Sequence, residues 1–222
     1  KPAVAIIGSR SATSYGRRTA HQLARDLAGR GVIVVSGLAQ GIDAEAHAGC
    51  LAGGGITIAV LGCGLDVVYP RINRPLYRRI AESGLLISEY PLGTRPDGFR
   101  FPARNRIIAG LSRGVVVVEA AQRSGTLITV QHALEEGREV FAVPGQVDSV
   151  KSAGSHWLLQ QGAGLVVCAD DIVQGLGVPS PPAAQEAETV REAGAVDSAA
   201  AGVLALLEPY PLRRDEVLRR SR

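Results

Sequence analysis

The chain has 222 residues, 46% hydrophobic and 20% charged, with a formal net charge of +3. This composition is too apolar for a disordered chain and suits one sizeable α/β domain with an appendage. No apolar run reaches the length of a membrane span and no secretory signal is visible, so a cytoplasmic protein without a membrane partner is expected.

The charge is unevenly placed. Of the 24 basic residues 22 are arginine, and nine arginines face three acids between Arg71 and Arg113. Three scattered cysteines, Cys50, Cys63 and Cys168, have no histidine at zinc spacing; they read as small core residues, and no metal or other cofactor is expected. The chain contains no methionine and strand-like sequence starts by Val4, which points to a piece of a longer protein.

Seven short apolar runs follow in order: "AVAII", "VIVV", "ITIAVL", "LLIS", "VVVV", "EVFAV" and "LVV". Such runs, buried on both faces and alternating with amphipathic helices, predict a doubly wound, mostly parallel sheet of extended Rossmann-like type. The first helix shows the period, with Ala20, Leu23, Ala24 and Leu27 on one side. This domain is expected over 1–175. A Pro- and Ala-rich linker is expected over 176–198, and a small helical segment over 199–222, read as the start of a winged helix.

Ligands of open α/β sheets sit at the carboxyl ends of the strands, so the loops there are the candidates for function. After the first strand, "GSRSATSYG" offers Gly8 to admit an anion, the Ser9 hydroxyl and Arg10. After the second, "SGLAQGID" holds Gly37 at a turn and Asp43 entering a helix. After the third, "GCGLDVVYPRIN" delivers Arg71. After the fifth, "EAAQRSGTLIT" sets Ser124, Gly125 and Thr126 at a helix start, where free amides and the dipole favour phosphate. Any one of these loops is equally a turn with a capping hydroxyl; four on one sheet edge favour a phosphate-rich ligand. A dinucleotide is disfavoured, because neither of the first two loops spells the glycine fingerprint and no acid closes the second strand.

The stretch "FRFPARNRIIAG" places Arg100, Phe101, Arg104, Asn105 and Arg106 together. With Pro102 as first helical residue, Arg104 and Arg106 lie in the opening turns, where cations oppose the helix dipole unless an anion is bound beside them. Phe99 and Phe101 alternate just upstream, and arene rings beside guanidinium groups are the ingredients of single-stranded nucleic-acid binding. The four histidines fall in separate segments and read as packing or surface groups, and no catalytic set is found. Trp157, Leu158 and Leu159 form an apolar row near the last strand and mark that edge as a self-association surface.

The motifs "GSR", "SGLAQGIDAEAH", "LGCGLDVVYPRIN", "GLLISEYPLGTRP", "FPARNRIIAGLS", "VVVVEAAQRSGTLIT" and "GREVFAVPG" together resemble the DprA (Smf) family of bacterial DNA-processing proteins, in order from Val4 to Ile172. The resemblance implies an extended Rossmann domain that binds single-stranded DNA without sequence preference, forms a homodimer, protects incoming strands in natural transformation and loads RecA recombinase onto them. Single-stranded DNA-binding protein is a further partner it implies. It carries the DNA contacts onto Arg10, Arg71, Phe101, Arg104 and Arg106. The chain departs from the family at "SAGSHWLLQQGA", where His156 stands in place of an asparagine. The alternative is an enzyme of the LOG-type phosphoribohydrolase class, on a loose likeness of "RSGTLIT" to that class's phosphate loop. The acid of that loop is replaced here by Thr129 or Val130, leaving no group to assist glycosidic cleavage.

Overall fold

The computed structural model describes residues 1–178. Each of the seven apolar runs contributes a strand: β1 (Ala3–Ile7), β2 (Ile33–Ser36), β3 (Thr57–Val60), β4 (Leu85–Ile87), β5 (Gly114–Val117), β6 (Glu139–Ala142) and β7 (Gly164–Leu165). They form one sheet in the order β4-β3-β2-β1-β5-β6-β7. Every pairing is parallel, so the sheet is wholly and not just mostly so.

Among the described residues seven α-helices complete the Rossmann-like layers: α1 (Ser14–Gly29), α2 (Ile42–Ala52), α3 (Arg74–Ser83), α4 (Arg100–Gly110), α5 (Thr126–Glu135), α6 (Ala153–Gln160) and α7 (Ala169–Gly175). Strand β1 is buried along its whole length, and its side chains divide by parity. Val4 and Ile6 join Leu23, Leu27, Ile42 and Ile172 on the face covered by α1, α2 and α7. Ala5 and Ile7 join Ile108, Val130 and Leu158 on the face covered by α4, α5 and α6. Leu176 is buried and Val178 packs against the first of these clusters, so the folded unit runs to the end of the described residues. The remainder of the expected linker and the helical segment at 199–222 lie outside the described residues.

Three expectations change. Helix α4 opens at Arg100, two residues before Pro102, so Phe101 lies on the helix with Arg104 and not in an alternating stretch upstream of it. Cys50 and Cys63 are buried as expected, but Cys168 is exposed at the start of α7. In the row near the last strand only Trp157 is substantially exposed; Leu158 is core and Leu159 packs against it.

The sheet order fixes where a ligand can sit. The chain winds outward from β1 to β4, then returns to lay β5 on the other side of β1. The loops after β1 and β5 therefore diverge at their carboxyl ends, and a crevice opens between them.

Candidate nucleic-acid interface

Helix α1 begins in that crevice, where a dinucleotide-binding fold would receive a pyrophosphate. Here its first turn is filled from within. Glu119, just past β5 and 3% exposed, accepts the Thr13 amide at 2.9 Å on Oε2 and the Thr13 hydroxyl on Oε1. Thr13 Oγ1 in turn accepts the Gly16 amide at 3.1 Å. A fixed carboxylate at a helix N-terminus stabilises the helix and repels a second anion. Gly16 makes room for it, since a Cβ there would lie 2.4 Å from the Glu119 carboxyl carbon. Replacing Gly16 with alanine is therefore expected to cost about 1–3 kcal/mol, read as a fall in the urea midpoint. An unchanged midpoint would mean that the carboxylate moves aside freely.

With α1 blocked, the crevice is open toward α4 and α5. A cleft of about 400 Å³ lies there, lined by Gly8, Arg10, Asp43, Phe101, Arg104 and Asn105 together with the start of α5 at Ser124, Gly125 and Thr126. The Ser124 Oγ is shielded from solvent and has no hydrogen-bond partner among the described residues, a donor available to a ligand. A smaller cavity of about 150 Å³ adjoins it, shared by Arg10, Phe101 and Arg104 and walled by Gly37 and Tyr69.

Phe101 is the hub. Tyr69 stacks on it with centroids 5.5 Å apart and planes inclined by 27°. The Arg10 guanidinium lies over the same ring at 5.3 Å and that of Arg104 at 6.0 Å. Arg10 is exposed, whereas Arg104 is 4% exposed. Arg104 reaches across the sheet edge to donate to the Val60 carbonyl, and its Nε donates to Asn105 Oδ1 at 3.1 Å.

The counter-charge for Arg104 comes from Asp43. Its carboxylate accepts the Gly37 amide at 3.1 Å and the Ala39 amide at 3.4 Å. Burial pushes the Asp43 carboxyl up, against the pull of Arg104 and of those two amides. Burial likewise lowers the Arg104 guanidinium, opposed by Asp43. Gly37 stands between them: a Cβ there would meet the Arg104 Nη2 at 2.3 Å and the Asp43 Oδ2 at 2.8 Å. Gly8 has a packing role too, because a Cβ there would press on Ile42 at 2.7 Å and on the Glu119 carbonyl at 2.9 Å.

The other expected site residues lie apart. Ser9 spends its amide on the Glu119 carbonyl at 2.8 Å, and its hydroxyl accepts the Ser11 amide at 3.2 Å. Arg106 is exposed and paired with Glu89, away from the Arg104 side of α4. Arg71 lies on a short 3-10 turn, Arg71–Asn73, and lines a separate shallow groove with Asp66 and Arg74. Arg100 sits at the outer rim, its guanidinium 5.2 Å from the Phe99 ring and 5.4 Å from the Tyr90 ring. Tyr69 and Glu119 went unrecognised from sequence, and Asp43 places in the cleft an acid that the α5 loop itself lacks. No group of acids, cysteines and histidines among the described residues is arranged to hold a metal ion.

Comparison with known proteins decides the family. Residues 1–177 match the family model of DNA recombination-mediator protein A. The chain belongs to that family. It is similar to DNA processing protein A from Streptococcus pneumoniae, whose structure superposes with a TM-score of 0.74 at 48% identity, covering 78% of this chain and 61% of that one. Protein Smf of Escherichia coli is 49% identical over 174 residues, 78% of this chain and 46% of Smf. The structure of DNA processing protein A from Helicobacter pylori, described for its unique single-stranded DNA binding mode, aligns with a TM-score of 0.72 at 34% identity, covering 79% of this chain and 80% of that one. The chain thus spans roughly half to three-fifths of the curated relatives' length, 61% of the pneumococcal protein and 46% of Smf.

Proposed function

We propose that the chain binds single-stranded DNA in the cleft between the β1, β2 and β5 loops and α4, without catalysing a reaction on it. The observation that carries this reading is the Phe101 hub: an arene ring flanked by Tyr69 and two guanidinium groups suits a base on the ring and a phosphate on the cations. The start of α5 and the unpartnered Ser124 hydroxyl support an anion on the opposite wall. The relative from Helicobacter pylori, with its single-stranded DNA binding mode, supports the same ligand. Asp43 serves to hold the 37–39 turn and to face Arg104, and is not a catalytic acid.

In this reading Gly8, Arg10, Gly37, Phe101, Arg104, Asn105, Ser124, Gly125 and Thr126 form the cleft. Arg71, Arg100 and Arg106 extend its field over the rim, and Ser9 shapes the first loop. The folded unit that would carry this DNA site is the one described, residues 1–178. The protein acts as a homodimer in the cytoplasm, paired through the β7 edge, and delivers strands to RecA recombinase in transformation and recombination. Supporting that edge, Trp157, Leu165 and Val167 are exposed there. A monomer in sedimentation at micromolar concentration would remove the dimer from this picture.

The test of the DNA reading is a salt titration with fluorescent oligo-dT. Affinity is expected to fall steeply with salt, and the Arg10→Ala, Arg71→Ala pair should make the log–log slope shallower by about 1.4, two phosphate contacts at roughly 0.7 each. An unchanged slope and affinity in the double variant would defeat the assignment of the groove.

A further inference from the structure

We infer that Phe99, backed by Arg100 and Tyr90, is a second base-stacking platform, taking a nucleobase of the same strand one step outside the Phe101 cleft. The inference rests on the single-stranded DNA reading above and goes beyond it by adding a subsite outside the family motif.

Phe99 is 66% exposed, although it is one of only three phenylalanines in the chain. A large ring left in water forgoes burial that core phenylalanines gain. Its surroundings repeat the chemistry of the Phe101 hub. A guanidinium, that of Arg100, lies over the Phe99 ring at 5.2 Å, as Arg10 lies over Phe101 at 5.3 Å. In both places a tyrosine completes the group. Tyr69 stacks on Phe101, while the Arg100 guanidinium also lies 5.4 Å from the Tyr90 ring. Arg100 is held in place by donating to the Arg95 carbonyl, so the cation is anchored to the platform. Its charge is left free of any carboxylate among the described residues.

Open space beside the first platform reaches the backbone next to the second. A cavity of about 310 Å³ runs from Arg10, Tyr69 and Phe101 along the Pro96–Gly98 backbone that leads directly into Phe99. Asp97 is the acid in that lining, so a phosphate passing between the platforms is expected on the Arg10 side and not against the loop. An isolated exposed ring has no such neighbours. An exposed ring carrying a cation, one residue along the chain from that cavity's lining, has the chemistry of a stacking surface.

The experiment is fluorescence anisotropy of the full chain with oligo-dT, comparing wild type, Phe99→Ala, Phe99→Tyr and Phe101→Ala. Phe99→Ala should bind about tenfold more weakly, with Phe99→Tyr restoring most of the loss. An oligonucleotide carrying 5-iodouracil should photocrosslink to the 96–100 segment as well as to the Phe101 helix. If Phe101→Ala weakens binding while Phe99→Ala binds as wild type, the second platform is overturned and the first stands. Crosslinks confined to the Phe101 helix, with none in the 96–99 segment, would overturn it as well. If the wild-type chain fails to bind oligo-dT at all, both readings fall together.

Discussion

Replacing Arg104 with alanine is expected to lower stability by about 3–5 kcal/mol, more than any change at the exposed arginines, and to abolish measurable DNA binding in the same stroke. The magnitude is that of removing one member of a buried charged pair. Arg104 is 4% exposed and donates to the Val60 carbonyl, and the Asp43 carboxylate beside it is also buried. Without the guanidinium, Asp43 keeps the amides of Gly37 and Ala39 and the weaker pull of Arg10. The pH dependence distinguishes this cause from simple loss of packing. Burial already raises the Asp43 carboxyl, and losing Arg104 raises it further. A carboxyl raised in the folded state binds a proton that the unfolded chain has released, so the variant should regain stability as pH falls through that raised value toward the ordinary carboxyl range, and lose it again as pH rises through the same window. Asp43→Asn in the Arg104→Ala background should recover part of the loss, and urea midpoints of the four proteins complete the cycle. Strict additivity of the two substitutions would show that the groups do not interact. Arg10→Ala is the contrast: an exposed cation whose removal weakens DNA binding and leaves the midpoint in place.

The second large effect is acid sensitivity centred on His47. This residue is fully buried on α2, with Nδ1 2.6 Å from Thr57 Oγ1. The Thr57 hydroxyl donates to the Val34 carbonyl at 2.8 Å, so Nδ1 must carry the proton and Nε2 is left as a bare acceptor without a partner. Burial, reinforced by Arg104, lowers its pKa from 6.5 to about 3. The unfolded chain therefore takes up a proton near pH 6.5 that the folded protein refuses until about pH 3. Stability is complete above the higher value and falls with pH through that window, by on the order of 5 kcal/mol in total and ~2–3 kcal/mol by pH 4.5. Urea midpoints at pH 7.5 and pH 4.5 measure it. His47→Leu should flatten this part of the profile whatever its absolute stability, and parallel profiles for the two proteins would rule out the histidine as the cause.

Much of the fold was legible because the strands are local events. Runs such as "AVAII" and "VVVV" state their burial within four or five residues, and each became a strand of the sheet. Arg10, Phe101 and the "RSGT" segment were also recognisable as candidates, because ligands of this fold are received where the strand order reverses. What was hidden is pairing at long range. That Glu119 fills the first turn of α1 depends on β5 lying beside β1, and that Asp43 faces Arg104 depends on two loops meeting over the sheet edge. The start of α4 was misjudged for a local reason. Pro102 is tolerated within a first helical turn, where its missing amide leaves no bond unmade, so it does not mark the first residue. Arg104 and Arg106 are two residues apart on a helix and so point to different sides, one into the cleft and the other to Glu89.

The return of the chain from β4 to β5 also sets the order of events during synthesis. Val4 pairs with Gly114 and Ile7 with Val117, so the central seam of the sheet joins segments made more than a hundred residues apart. On the ribosome, β1 to β4 can assemble side by side as they emerge, but Arg10 has no opposite wall and the first turn of α1 no carboxylate until the chain has passed Glu119. The cleft is thus completed late and all at once, and a translation product halted before Glu119 carries Arg10 and Arg104 without the groove.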